Sequence, residues 1–266
     1  YDGSGTLNVT NGGAVTSAFS ALGLNTGSSG TATIDGAGST WATTNGLHVG
    51  YEGQGTLTIQ NGGAVTAQIE HLGFLATGVG IATVDGAGSS LTAATDLLVG
   101  TVGQGTLNVS NGGVVTSATG YVGANAGSSG TVTVDGTGSP WTVANDLYVG
   151  DLGQGTLTIQ NGGAVATTGV AGSHVYLGYE ATGVGTATVD GAGSILTANL
   201  SVYVGENGQG TLNVTNGGVV NSVFGTLGWN GAGTATIDGA GSAWTVANTM
   251  FVGDNGQGTL TIRNGG

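Results

Sequence analysis

Two glycine motifs return along this chain at nearly fixed intervals, and that periodicity restricts the possible folds more than any other feature. Asn-Gly-Gly begins at Asn11, Asn61, Asn111, Asn161, Asn216 and Asn264, in steps of 50, 50, 50, 55 and 48 residues. Asp-Gly-(Ala/Thr)-Gly-Ser begins at Asp35, Asp85, Asp135, Asp190 and Asp238, about midway between the first set. The apolar runs before the motifs align at Leu7, Ala32, Leu57, Ala82, Leu107, Val132, Leu157, Ala187, Leu212, Ala235 and Leu260. Successive positions are 25 residues apart, except for 30 at Leu157 to Ala187 and 23 at Leu212 to Ala235. The unit is therefore about 25 residues, doubled into a pair of related halves. A period within roughly 20–50 residues marks a solenoid, propeller or array whose units bury apolar faces on their neighbours.

The pattern inside a unit selects among these. Thr56, Leu57, Thr58 and Ile59 alternate polar and apolar, as do Thr31 to Ile34 and Thr131 to Val134. A period of two in β-branched residues predicts half-buried strands. Glycine or Asn-Gly-Gly bounds each run and supplies the positive φ of tight corners. No stretch of ten residues has helical periodicity, which excludes leucine-rich and ankyrin-type repeats. Each unit holds three short strands, for example Thr56–Ile59, Ala64–Thr66 and His71–Leu72, or Thr31–Ile34, Thr40–Thr43 and Leu47–Val49. Three strands and three corners make one coil, and stacked coils pair equivalent strands in parallel about 4.8 Å apart.

The expected fold is an all-β, right-handed parallel β-helix, with the hand set by the general preference of parallel crossovers. It has roughly 10–11 coils and is roughly 50 Å long at the usual strand spacing. A β-propeller is the competing architecture, but its blades need about 40–45 residues. Residues 1–266 read as a single β-helical repeat domain, a fragment of a longer array that starts in mid-pattern. Its open ends would be covered by more repeats or caps, or would pair head to tail. The expected interior is Leu7 and Val9 with their equivalents in strand one, Val15 and Trp41 with theirs in strand two, and Leu22 and Val49 with theirs in strand three. Small residues of strand one share a coil with Trp41, Leu91, Trp141, Leu196 and Trp244 of strand two, which keeps the cross-section constant.

Composition narrows the function. Glycine is 59 of 266 residues, charged residues are 6%, and net charge is −13 with one arginine, Arg263, and no lysine. Such a chain cannot neutralise phosphates, so nucleic acid is excluded as a partner, and an acidic membrane surface repels it. There is no cysteine for disulfides, thiol nucleophiles or thiolate metal sites. No run of 18 apolar residues is present, so no helix of this segment is expected to span a bilayer.

Several surface features are candidate sites. Outward strand-one positions carry threonine pairs such as Thr31 and Thr33, Thr56 and Thr58, and Thr156 and Thr158, broken by Ile81, Asn8, Asn108 and Asn213. Such a ladder is what an ice-binding solenoid uses, and threonine is also simply a good residue for an exposed strand. Strand three places an outward column at Ala21, His48, His71, Leu98, Tyr121, Tyr148, Tyr176, Tyr203, Thr226 and Phe251, with Tyr51, Phe74, Tyr179 and Trp229 beside it. An exposed aromatic stripe can stack on sugars or on another rod, or can merely stack on itself. His48, His71, Tyr121, Tyr148, Tyr176, Tyr203, Phe251, Tyr179 and Trp229 are the candidate contact surface. Asp35, Asp85, Asp135, Asp190 and Asp238 share one corner position on alternate coils. They are expected to stabilise corners by accepting hydrogen bonds from the following Gly-x-Gly amides. The spacing does not match a calcium repeat, so neither metal nor cofactor is expected. A lyase needs basic residues that the repeats lack. A glycosidase needs two close carboxylates, and no pair is evident near the one insertion, Thr167–Ser173, or its neighbours His174, Tyr176 and Glu180. That insertion is expected to form an enlarged corner loop. No enzyme activity is expected, a polysaccharide-active β-helix enzyme being the remote alternative.

The motifs GTLTIQNGGAV and GTATVDGAGSxWT with LxVG resemble the glycine-rich repeat of bacterial autotransporter (type V secretion) passenger domains, also found in surface proteins with PEP-CTERM-type sorting tails. The resemblance covers essentially the whole chain. It implies a right-handed β-helical stalk at, or released from, a Gram-negative-type cell surface, with adhesion or matrix roles and no catalytic residues. The expectation is therefore an extracellular structural and adhesive fibre segment. Its partners would be other rods, end to end or laterally, or glycans and proteins of a host or neighbouring cell. Ice binding through the Thr-x-Thr ladder is the alternative.

Overall fold

The computed structural model describes residues 3–169 and 172–266, and among these the chain winds as an all-β solenoid with no helix. One coil shows the logic. Gln54–Gln60 ends at a glycine corner, Ala64–Ala67 and Ile69–Leu72 follow, and another glycine corner returns the chain to Val79–Asp85 one level on. Eleven first strands, from Ser4–Thr10 to Gln257–Arg263, stack as one parallel sheet. Leu7 pairs with Ala32, Ala32 with Leu57, and the register holds to Leu260. The shorter second and third strands build two further parallel stacks. These fuse where Ser90–Val99 and Val114–Val122 run unbroken through the bend, with a register shift between Ala93 and Asp96. The winding amounts to about ten turns of about 25 residues.

A single column of aliphatic side chains fills the coil. Leu57, Leu107, Leu157 and Leu212 have no exposed surface, and Trp141 is fully enclosed. Each such side chain contributes about 1.5–3 kcal/mol of burial, set against chain entropy. The sequence reading undercounts this interior. Strand two buries a second residue per coil, such as Ala67, Ala93 or Val143, and strand three a further one, such as Leu47, Leu97 or Leu147. It also places Val252 inside, whereas that residue is 48% exposed in the last coil, whose outer edge is uncovered.

The doubling of the repeat has its cause at the first corner. Asn11, Asn61, Asn111, Asn161, Asn216 and Asn264 adopt φ of 52–54°, the left-handed region that asparagine tolerates better than other side-chain-bearing residues. The same Asn side chain reaches one coil back. Nδ2 of Asn61, Asn111 and Asn161 donates to Oδ1 of Asp35, Asp85 and Asp135 at 2.7 Å. Asn216 and Asn264 do the same to Asp190 and Asp238. The opposite step, from an Asn-Gly-Gly coil to the following Asp coil, uses serine. Ser39 Oγ donates to the Asp35 carbonyl at 2.7 Å and accepts the Gly12 amide at 3.1 Å. Ser89, Ser139, Ser194 and Ser242 accept the amides of Gly62, Gly112, Gly162 and Gly217 in the same way. Carboxylate–amide and hydroxyl–amide links therefore alternate up the rod.

This corrects the expected role of the five aspartates. Asp35, Asp85, Asp135, Asp190 and Asp238 do share one register position, but their carboxylates bridge coils rather than cap their own Gly-x-Gly turns. The first amide of the turn is engaged elsewhere, Gly36 N donating to the Gln60 carbonyl at 3.1 Å, and the turn closes through Ser39 N, which donates to the Gly36 carbonyl at 3.0 Å. At Asp238 the bond from Asn264, followed by Arg263 3.0 Å away, holds the carboxyl below its ordinary pKa.

Candidate contact surface

Parallel in-register stacking turns a recurring residue into a straight column. The outward third-strand positions line up as His48, His71, Leu98, Tyr121, Tyr148, Tyr176, Tyr203, Thr226 and Phe251. The strand spacing matches a ring-stacking distance, so the tyrosines stack. Ring centroids of Tyr121 and Tyr148 are 5.0 Å apart at 7°, Tyr148 and Tyr176 5.0 Å at 10°, and Tyr176 and Tyr203 5.2 Å at 10°. A parallel row follows the third corner, where Tyr179 N and Trp229 N bond to Gly150 and Gly205 carbonyls one coil back at 3.0 Å. From this row Tyr179 meets Tyr148 and Tyr176 edge-on at 4.9 and 4.8 Å, and Trp229 meets Tyr203 edge-on at 6.2 Å.

The column is not the uniformly exposed stripe that the sequence suggests. His48 is 7% exposed, because Phe19, Tyr51, His71 and Phe74 enclose its ring. Burial lowers its pKa to about 4, and burial followed by the charge of His48 lowers that of His71 to about 3. The pair is therefore neutral at physiological pH, stacked at 4.6 Å, with His71 Nδ1 3.0 Å from Thr101 Oγ1. Phe251 is 43% exposed but sits in the last coil, away from the ladder. The four tyrosines are half-buried. Their faces are shared with one another, which leaves ring edges and hydroxyls for an outside partner.

Carboxylates flank this ladder, brought together from corners that are far apart in the sequence. Asp96 and Asp146 lie on the side of the second bend. Asp146 Oδ1 accepts the His174 amide at 2.7 Å, and Oδ2 is 3.4 Å from the Tyr148 hydroxyl. Asp151 and Glu206 occupy the row after the third corner, and Glu180 N bonds to the Asp151 carbonyl at 2.9 Å. Burial, then Asp146, pushes the Tyr148 and Tyr176 hydroxyls far above their ordinary pKa. Burial, then Glu180, pushes Asp151 up to about 6, and burial raises Glu206. Near the insertion, Asp151 and Glu180 therefore stand on adjacent coils, close enough for the charge of one to bear on the other. The 25-residue register carried that signal, since Asp151, Tyr179 and Glu206 each follow a third-corner glycine.

The insertion, expected at Thr167–Ser173, borders the same patch; Val170 and Ala171 within it lie outside the described residues. Its described parts join Ala164–Thr167 to Val175–Leu177. Gly169 N donates to Ser173 Oγ at 3.0 Å, and Asn199 N from the next coil to Thr167 Oγ1 at 3.1 Å. On the first sheet the threonine rows stand in register over eleven strands. Among the described residues, no three His, Asp or Glu side chains converge in a way that could hold a metal ion.

No protein-family model matches the sequence. No curated protein matches it either. A solved structure to which the chain is similar is the TibC-catalyzed hyper-glycosylated TibA55-350 fragment, at 17% identity and a TM-score of 0.32, over 98% of this chain and 97% of that one.

Proposed function

We propose that this chain is an extracellular structural and adhesive β-helical segment that works as a rigid spacer at a bacterial surface or in secreted material. The observation that carries the reading is the Tyr121–Tyr203 ladder, a half-open aromatic strip set lengthwise on a rod. Aromatic and polar groups on a rigid scaffold make contact at low entropic cost. The cysteine-free composition suits passage through an oxidising compartment. The motif resemblance to autotransporter passengers points the same way. The role is non-catalytic, and a panel of polysaccharides should show no turnover. The test is retention of the purified chain on cells or immobilised surface material, with small-angle scattering to establish a rod roughly 50 Å long. Tyr148→Ala with Tyr176→Ala should abolish retention and leave the rod intact. Retention unchanged by that pair, or a globular scattering profile, would refute the reading.

A second reading rests on the threonine rows of the eleven-stranded sheet, a regular array of hydroxyls and methyls. It requires thermal hysteresis that Thr58→Tyr with Thr158→Tyr removes, and an inactive wild-type chain ends it.

A further inference from the structure

The acids around the tyrosine ladder are unevenly placed. The chain has fourteen, of which five are the corner aspartates that bond to asparagine. Five of the remainder surround it: Asp96 pairs in register with Thr119, two residues before Tyr121; Asp146 Oδ2 is 3.4 Å from the Tyr148 hydroxyl; Glu180 adjoins Tyr179; and Asp151 and Glu206 follow the third-corner glycines one coil either side of Tyr179. They stand on both flanks of the stacked rings. No lysine or arginine of this chain answers them: lysine is absent, and the one arginine, Arg263, pairs with Asp238 in the last strand.

We propose that the tyrosine ladder and its flanking carboxylates form a docking strip for a lysine- and arginine-rich polypeptide segment. The proposal deepens the adhesive reading and rests on it. Charge selects the occupant. A second copy of this chain brings no lysine, no unpaired arginine and a net charge of −13, so like repels like. Anionic polymers and lipids are repelled for the same reason. A basic segment meets carboxylates on both sides. Its alkyl stems lie along the tyrosine edges, and its heads reach the acids and the tyrosine oxygens. Stacking fixes the rings before binding, so little side-chain freedom is lost on contact.

The test measures binding of an unstructured octalysine peptide to the whole chain by calorimetry, at low and high salt. One variant neutralises the strip: Asp146→Asn, Asp151→Asn, Glu180→Gln and Glu206→Gln. The first of these changes keeps a side-chain oxygen that can accept the His174 amide. A second variant carries the same net charge through Asp35→Asn, Asp85→Asn, Asp135→Asn and Asp190→Asn at the corners. Salt-sensitive binding is expected in the wild type, weakened about tenfold in the strip variant and less than about twofold in the corner variant. Equal weakening in both variants would mean that overall charge alone attracts the peptide, and would overturn the proposal. So would an absence of peptide binding. If tyrosine-dependent retention on neutral glycans persists in that case, the adhesive reading stands without this one. If retention ignores Tyr148→Ala with Tyr176→Ala as well, both fall.

Discussion

Single residues in this rod act against a background of identical neighbours, so each departure from the repeat is a local experiment. Glu70 is the sharpest case. Its inward position is held by Leu47 one coil before and Leu97 one coil after, and it is itself completely buried with neither carboxylate oxygen partnered. Burial pushes its pKa well above the ordinary value of 4.5. A group with a raised folded pKa leaves stability intact below its unfolded pKa, then costs more as pH rises toward the folded one. The rod should therefore weaken through this one residue as pH rises above 4.5, for instance from a measurement at about pH 5 to one at about pH 8. Glu70→Leu should raise stability at neutral pH by about 2 kcal/mol and flatten that slope. Urea midpoints at the two pH values check both, and an unchanged slope would locate the pH dependence elsewhere. Asn111 tests the corner. It combines a φ of 52° with a 2.7 Å bond to Asp85. Asn111→Gly keeps the first and loses the second, so it should cost about 1 kcal/mol. Asn111→Ala loses both and should cost about 2–3 kcal/mol.

At the scale of strands and corners, the sequence is most informative where side chains alternate and least where backbone meets backbone. The strand-one register, the inward aliphatics and the four-tyrosine row follow from counting in twenty-fives. The Ser39-type hydroxyl link and the Asp35–Asn61 bridge do not, because they depend on which donors of a turn are already engaged in the ladder. The flanking acids were visible as residues but not as a patch, since they come from different corners of different coils. Glycine shows the same limit. The sequence reads each glycine as a turn-former, yet Gly105 lies inside strand Gln104–Ser110. A Cβ there would collide with the Gly100 amide nitrogen and come within 2.6 Å of the Leu72 carbonyl oxygen, at the seam where strand one passes the third corner. Strand propensity alone predicts that Gly→Ala in a strand stabilises. The seam predicts the reverse: Gly105→Ala should destabilise by more than about 3 kcal/mol, seen as a lowered thermal midpoint and protease cleavage of that coil. A gain in stability would show that the two backbones do not pack as described.

The molecule as a whole is a one-dimensional stack, and its stability is a sum over coils and the interfaces between them. Two interface types alternate here, one carried by Asp and Asn, the other by Ser and a glycine amide. The true repeat is therefore two coils, and the rod should tolerate loss of an even number far better than an odd number. Deleting residues 104–153 joins the Asp85 coil to the coil of Gln160 and Asn161. Both link types are then restored, since Asn161 can donate to Asp85 as it does to Asp135. The product should be a folded rod about 10 Å shorter by scattering, with a nearly unchanged thermal midpoint. Deleting residues 104–128 instead stacks the Asp85 coil directly on the Asp135 coil. Two carboxylates then face each other about 4.8 Å apart without an asparagine donor, and Ser139 loses the Gly112 amide. That interface should be weaker by about 3 kcal/mol, and raising salt should recover part of the loss. Equal midpoints for the two deletions would mean that the corners carry no coil-to-coil specificity. The doubling of the repeat would then be without structural consequence.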